Sequence, residues 1–156
     1  MKMKITLTML LITLVLCSLL YYHYKKNRPF RCDAQLVSHI EQDGGKIDLN
    51  LNANMIFTLH NESVVSFNGS VTQDGQEYRV SRRLFFTITP SELNGVDKTK
   101  ITREQISKFD KLPAGLWQQY IFQGIEFYTQ MIAVNNNGFL LQDLSNPFFV
   151  CVRSDN

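Results

Sequence analysis

The sequence predicts a mainly β protein of the α+β kind. It places an N-terminal transmembrane helix ahead of an antiparallel curved sheet or half-open barrel that carries one short helix. Three observations lead there. Residues 5–22 read ITLTMLLITLVLCSLLYY, with no charge. Ile47, Leu49, Leu51, Ala53 and Met55 alternate with Asp48, Asn50, Asn52 and Asn54, the period of two that marks a strand with one wet and one buried face. Asp74-Gly75 stands between residues 64–72 and 77–89, two β-rich runs, where a two-residue hairpin turn belongs.

At about 1.5 Å rise per residue, a helix over residues 5–22 nearly crosses a hydrocarbon core of roughly 30 Å. Lys2 and Lys4 precede the run; Lys25, Lys26, Arg28 and Arg31 follow it. A cleaved signal peptide needs small residues at its end, and this run ends in Leu20-Tyr21-Tyr22-His23-Tyr24. A lipoprotein needs a small residue before its cysteine, and Leu16 precedes Cys17. An uncleaved signal anchor over residues 1–24 is the reading that is left. Tyr21, Tyr22 and Tyr24 suit the membrane interface, where an amphipathic ring is at home. Residues 25–31 form a basic linker facing phosphate headgroups.

The body is residues 32–153. Six of the 16 lysines and arginines precede Asp33, so from Asp33 to Asn156 10 basic residues meet 14 acidic ones, a formal net of −4. An acidic body argues against direct nucleic-acid binding. Its length suits one domain with one core. Orientation is pulled two ways. The positive-inside rule, with four basic residues after the span, favours a cytoplasmic body. Cys32 and Cys151 bracket the body, as a disulfide staple does in an oxidising compartment. Two unrelated buried thiols are the plain alternative.

Taken in order, residues 34–40 read as a first strand, and Asp43-Gly44-Gly45 as a turn. The alternating strand follows, then a turn at His60-Asn61-Glu62. The Asp74-Gly75 hairpin ends at Pro90, which cannot donate to a sheet ladder. Residues 91–100 are polar and loop-like. Thr102-Arg103-Glu104-Gln105 fits a capping box, which predicts the short helix as far as Lys111. Residues 117–123 fit strand or helix. Residues 125–134 and 139–142 form a second hairpin, and Pro147 introduces a terminal strand over 148–152.

No nucleophile elbow, phosphate loop, H-E-x-x-H or C-x-x-C occurs, and His23, His39 and His60 are scattered. The reading is therefore no enzyme, no cofactor and no metal. Asn61-Glu62-Ser63 and Asn68-Gly69-Ser70 match the glycosylation sequon, which is inert in a bacterial protein. Arg82 is the most informative polar residue. It shares a face with Tyr78, Val80, Leu84 and Phe86, while Arg79 and Arg83 lie opposite. A core-facing arginine is costly unless paired. It is either an internal salt-bridge partner, or a cavity cation that binds the anionic group of an amphipathic ligand, or a bulge turns it outward.

The chain resembles the FidL-like membrane proteins of enteric bacteria. The resemblance rests on the short N-terminal span, Cys32 opening the body, and Val80-Ser81-Arg82-Arg83-Leu84-Phe85-Phe86. Asp110 with Pro113 follows, and Pro147-Phe148-Phe149-Val150-Cys151 closes it. It implies a single-pass inner-membrane protein with its body in the periplasm, against the local charge count. By analogy with ToxS-type companions, it implies a lipocalin-like half-barrel beside a membrane-bound regulator similar to ToxR. Together with their regulator, such companions can hold bile-salt-like ligands. Function is then expected to be that of a regulator accessory protein, or of a sensor for an amphipathic anion.

Overall fold

The computed structural model describes residues 2–26, 28–42, 45–58, 62–121 and 124–154, with side chains from residue 9 except those of residues 23, 25, 26 and 42. Helix α1 (Lys2–Lys26) comes first. Then follow β1 (Phe30–Gln42), β2 (Gly45–Phe57), β3 (Ser63–Gln73), β4 (Gln76–Pro90) and β5 (Asp97–Ile106). Helix α2 (Ala114–Tyr120) precedes β6 (Glu126–Ala133), β7 (Gly138–Gln142) and β8 (Pro147–Arg153). The described side chains of α1, from Met9 to Tyr22 and at Tyr24, are exposed. Among the described residues, no helix is long and apolar enough to cross a membrane.

Each strand pairs antiparallel with the next, and β8 returns to β1, so the sheet is a closed eight-stranded barrel. This corrects the expected half-barrel. Closure rests on a short seam. Among the described residues, β8 meets β1 at Cys32↔Arg153 and Asp33↔Val152, with Ser154 N–H donating to the Arg31 carbonyl at 3.0 Å. The disulfide Cys32–Cys151 sits at this seam, with Cα atoms 5.5 Å apart.

The alternating rows become the core. Ile47, Leu49, Leu51, Ala53, Met55 and Phe57 point inward from β2 and are buried. Facing them are Phe67 and Val71 of β3, then Val80, Leu84 and Phe86 of β4. The Asp74-Gly75 turn takes positive φ at both positions, 49° and 85°. That is the twist a two-residue hairpin requires, and it sets the register Gln73↔Gln76. The second hairpin also forms, with Ala133↔Phe139 as its inmost pair. The turns expected at Asp43-Gly44 and His60-Asn61 lie outside the described residues.

Gly69 marks where two strands come too close for a side chain. It stands between Leu51 and Val80 with φ +153°, and a Cβ there would lie 2.1 Å from the Asn50 carbonyl oxygen. The obstacle is backbone, which cannot swing away. Gly69→Ala is expected to cost about 1–3 kcal/mol through strain and forced strand separation. A urea midpoint for the full chain in detergent measures it; an unchanged midpoint would mean that β2 and β3 slide apart freely.

Two elements differ from expectation. The capping-box segment is strand, not helix: residues 97–106 are β5, so the predicted loop ends at Val96. The Thr102 hydroxyl satisfies the Phe85 carbonyl at 3.1 Å and the Glu62 carboxylate across the sheet, instead of a helix N-terminus. The helix lies later, in the ambiguous stretch, beginning after Pro113 with no side-chain cap. It is needed there because, among the described residues, the ladder between β6 and β5 covers residues 97–100, with one further bond from Ile101 N–H to the Ile125 carbonyl at 2.8 Å. Beyond that, α2 packs Trp117, Leu116, Tyr120 and Ile121 against the core.

Candidate functional site

Two features stand out inside the barrel: a buried ion pair and an apolar cavity. They are separate.

Arg82 points inward from β4, as its register predicts, and its side chain is 3% exposed. Residues 107–113 lead from β5 to α2 and run past this point of β4. Ser107 N–H donates to the Ser81 carbonyl at 3.0 Å, and Lys111 N–H to the Arg79 carbonyl at 2.8 Å. This places Asp110 against the guanidinium. Arg82 Nε–H donates to Asp110 Oδ2 at 2.8 Å, and Nη2 to Oδ1 at 2.9 Å. Nη2 also donates to the Leu112 carbonyl at 3.0 Å, and Nη1 to Glu104 Oε1 at 3.3 Å. Four of roughly five guanidinium N–H donors are thus taken. The Trp117 ring lies 4.9 Å from Arg82 Cζ, a cation–π contact that stacks the plane of the guanidinium.

Asp110 is as enclosed as its partner, 2% exposed. Its carboxylate also accepts the backbone N–H of Ser81 at 2.9 Å and of Leu112 at 3.1 Å. Burial pushes this carboxyl upward. The hydrogen bonds from Arg82, Ser81 and Leu112 and the attraction of the guanidinium outweigh that, and hold it below the usual carboxylate range. No buried side-chain nitrogen or oxygen among the described residues lacks a hydrogen bond. Arg82 therefore takes the internal salt-bridge position, and the residues lining the cavity do not include it.

The cavity occupies about 900 Å³. Its floor is Leu51, Met55, Phe67 and Leu84, all buried. Its mouth follows from the short seam. After Asp33, β1 has no partner toward β8 among the described residues. Leu36 and Val37 from the two faces of β1 line the void, and so do Phe149 and Val150 from the two faces of β8. A cavity that touches both faces of two strands reaches their edges, so the barrel is slotted between β1 and β8. Val37 and Val150, 60% and 51% exposed, flank the slot.

The other residues singled out by sequence fall elsewhere. His39 hydrogen-bonds Asp48 at 2.6 Å on the outer surface. His60 and Asn61 lie outside the described residues. Asn68 faces outward and accepts the Ser81 hydroxyl at 3.2 Å. Cys17 is a free, exposed thiol. Among the described residues, no group of three or more His, Cys, Asp or Glu side chains could hold a metal ion. Sequence reasoning missed Glu104 and Trp117 as partners of Arg82. Asp110 was visible only as part of the family resemblance.

Fold and site define a lipocalin-like β-barrel, sealed by a disulfide, with an internal apolar cavity and a buried arginine–aspartate clamp. The family described as FidL-like putative membrane protein matches residues 69–151, from Gly69 through Arg82 and Asp110 to Cys151. That is more than half of the 156 residues, and the chain belongs to this family. No curated protein matches it.

Proposed function

We propose that this protein is a non-enzymatic accessory subunit, held in the bacterial inner membrane by α1 with its barrel in the periplasm. There it pairs with a membrane-bound, ToxR-like transcription regulator and modulates it. The observation that carries this reading is the open edge of β1. From Ala34 onward that strand is hydrogen-bonded to β2 on one side and, among the described residues, has no strand partner on the other. A long unpaired edge invites strand addition by a partner. The anchor is supported by the uncharged run of residues 5–22 and its exposed apolar side chains. Tyr24, with Arg28 Cζ stacked 4.7 Å from its ring, suits the headgroup level. The disulfide supports the oxidising side of the membrane.

Photo-cross-linking from position 37 in cells tests the pairing. A benzophenone side chain replacing Val37 should capture a single-span membrane protein with a cytoplasmic DNA-binding domain. Placed at Glu77, on the far hairpin, it should not. An adduct only between copies of this chain would replace the regulator reading with self-association, and no adduct would remove the edge as a docking site.

A second reading, a ligand-binding module, is supported by the cavity. An anionic ligand is less well supported than the sequence implies, because the clamp occupies Arg82.

A further inference from the structure

We infer that the barrel cavity binds a single-chain lipid with an uncharged, hydroxyl-bearing head, of the monoacylglycerol type, and discriminates against anionic amphiphiles of the same chain. The cavity lies within the roughly 300–1,000 Å³ range of small-molecule sites, and its size is stated above. Its wall is mostly aliphatic and aromatic, which accounts for a chain. The head is read from the polar non-aromatic groups; apart from Gln35 and Ser38 on β1, these come from β5, β6 and the turn between β7 and β8.

Asp97 and Thr99 of β5 and Thr129 of β6 face inward and line the void. The Thr99 and Thr129 hydroxyls are 2.7 Å apart, a pair of groups that donate and accept. The Asp97 carboxylate has no hydrogen-bond or ion-pair partner among the described residues, so it is available to accept from a hydroxyl head. Asp143, at the turn between β7 and β8, is the second carboxylate on the lining. The backbone N–H groups of Ser145 and Asn146 donate to it at 2.7 and 2.6 Å. Those bonds lower its carboxyl below the usual range, so it stays ionised. Against these two carboxylates the lining sets no lysine, arginine or histidine among the described residues.

The consequence is electrostatic. An anionic head drawn into this low-dielectric space meets like charge and finds no cation to compensate its lost hydration. A phosphate-bearing two-chain lipid is excluded on the same ground. A neutral head with hydroxyls exchanges its water hydrogen bonds for those of Asp97, Thr99 and Thr129 at little cost. The slot between β1 and β8, flanked by Val37 and Val150, is apolar enough to pass a chain edgewise.

The test uses the full chain in phosphatidylcholine nanodiscs. Two probes share one dibrominated octadecyl chain, one ending in a glycerol ester and the other in a sulfate. Bromine quenches tryptophan at short range, and the chain has a single Trp, Trp117. It is 3% exposed and stacks edge-on to Phe67 of the cavity floor at 5.3 Å. The glycerol ester should quench Trp117 saturably, and the sulfate should require about tenfold more. Asp97→Lys should reverse that order. If that variant does not form its disulfide, Asp97→Asn should still bring the two probes several-fold closer. Absence of saturable quenching by either probe overturns the lipid site. A sulfate that binds as well as the ester, or an Asp97→Asn variant with an unchanged ratio, overturns the head-group assignment. Neither outcome bears on the pairing with a regulator, because no partner is present.

Discussion

Arg82→Met lowers the stability of the barrel by about 3–5 kcal/mol, the usual consequence of removing one member of a buried ion pair. Methionine fills the space but leaves Asp110, 2% exposed, as a buried carboxylate without its cation. The strap over residues 107–113 is tied to β4 largely through that carboxylate. Its Oδ2 binds Arg82 and the Ser81 N–H, while its Oδ1 binds Arg82 and the Leu112 N–H. The loss is therefore expected to be local first, with Trp117 fluorescence shifting before the global midpoint in urea. Arg82→Met combined with Asp110→Asn should recover part of the stability, because the amide removes the unpaired buried charge while its oxygen can still accept a backbone N–H. A single variant as stable as the parent would mean that the strap relaxes and rehydrates Asp110.

The same clamp sets a pH dependence. The Asp110 carboxyl is depressed in the folded state, so the unfolded chain binds its proton more readily. Its contribution is complete above the ordinary aspartate value of about 4 and is lost as pH falls through the folded value. Lys98 and Lys100 hold Glu126 down to about 2 through hydrogen bonds and charge, but on the exposed outer surface, where little stability follows. Stability of the parent should thus fall on acidification below about pH 4, and the double variant should fall less steeply. Equal slopes would show that the clamp is not what acid attacks.

Replacing Cys32 and Cys151 by serine costs about 4–5 kcal/mol in the chain-entropy account, since the bridge closes a separation of 119 residues. The structural effect should exceed what that number conveys. Strand pairing between β1 and β8 amounts, among the described residues, to two residue pairs, too little to hold a barrel shut unaided. Amide hydrogen exchange of the full chain should show Cys32, Asp33, Val152 and Arg153 losing protection beyond the global change. Uniform loss would mean that the seam is held by packing rather than by the bridge.

What could be read from the sequence tracks how local the determinant is. β2 was legible because its alternation is carried by neighbours two apart, and the Asp74-Gly75 turn because two adjacent residues specify it. The inward register of Arg82 was legible for the same reason. Its partner was not, since Asp110 lies in a strap without periodicity, and only tertiary packing brings it across. β5 differs from expectation because Thr102 and Gln105 look alike in a capping box and on a strand. What decides between them is the Phe85 carbonyl, 17 residues away in sequence. Closure was the least legible, because two residue pairs and one disulfide separate a barrel from a half-barrel.

The seam also dictates an order of events. It joins the first strand of the barrel to the last, so the ring cannot be completed until β8 has left the ribosome. Contacts of such long sequence separation are slow to form. Until then β1 has only β2 beside it, and β1–β4 have to persist as an open meander. The sulfur–sulfur bond thus doubles as a record that both ends of the barrel are in place: a chain cut short before Cys151 has no partner for Cys32 and cannot be sealed.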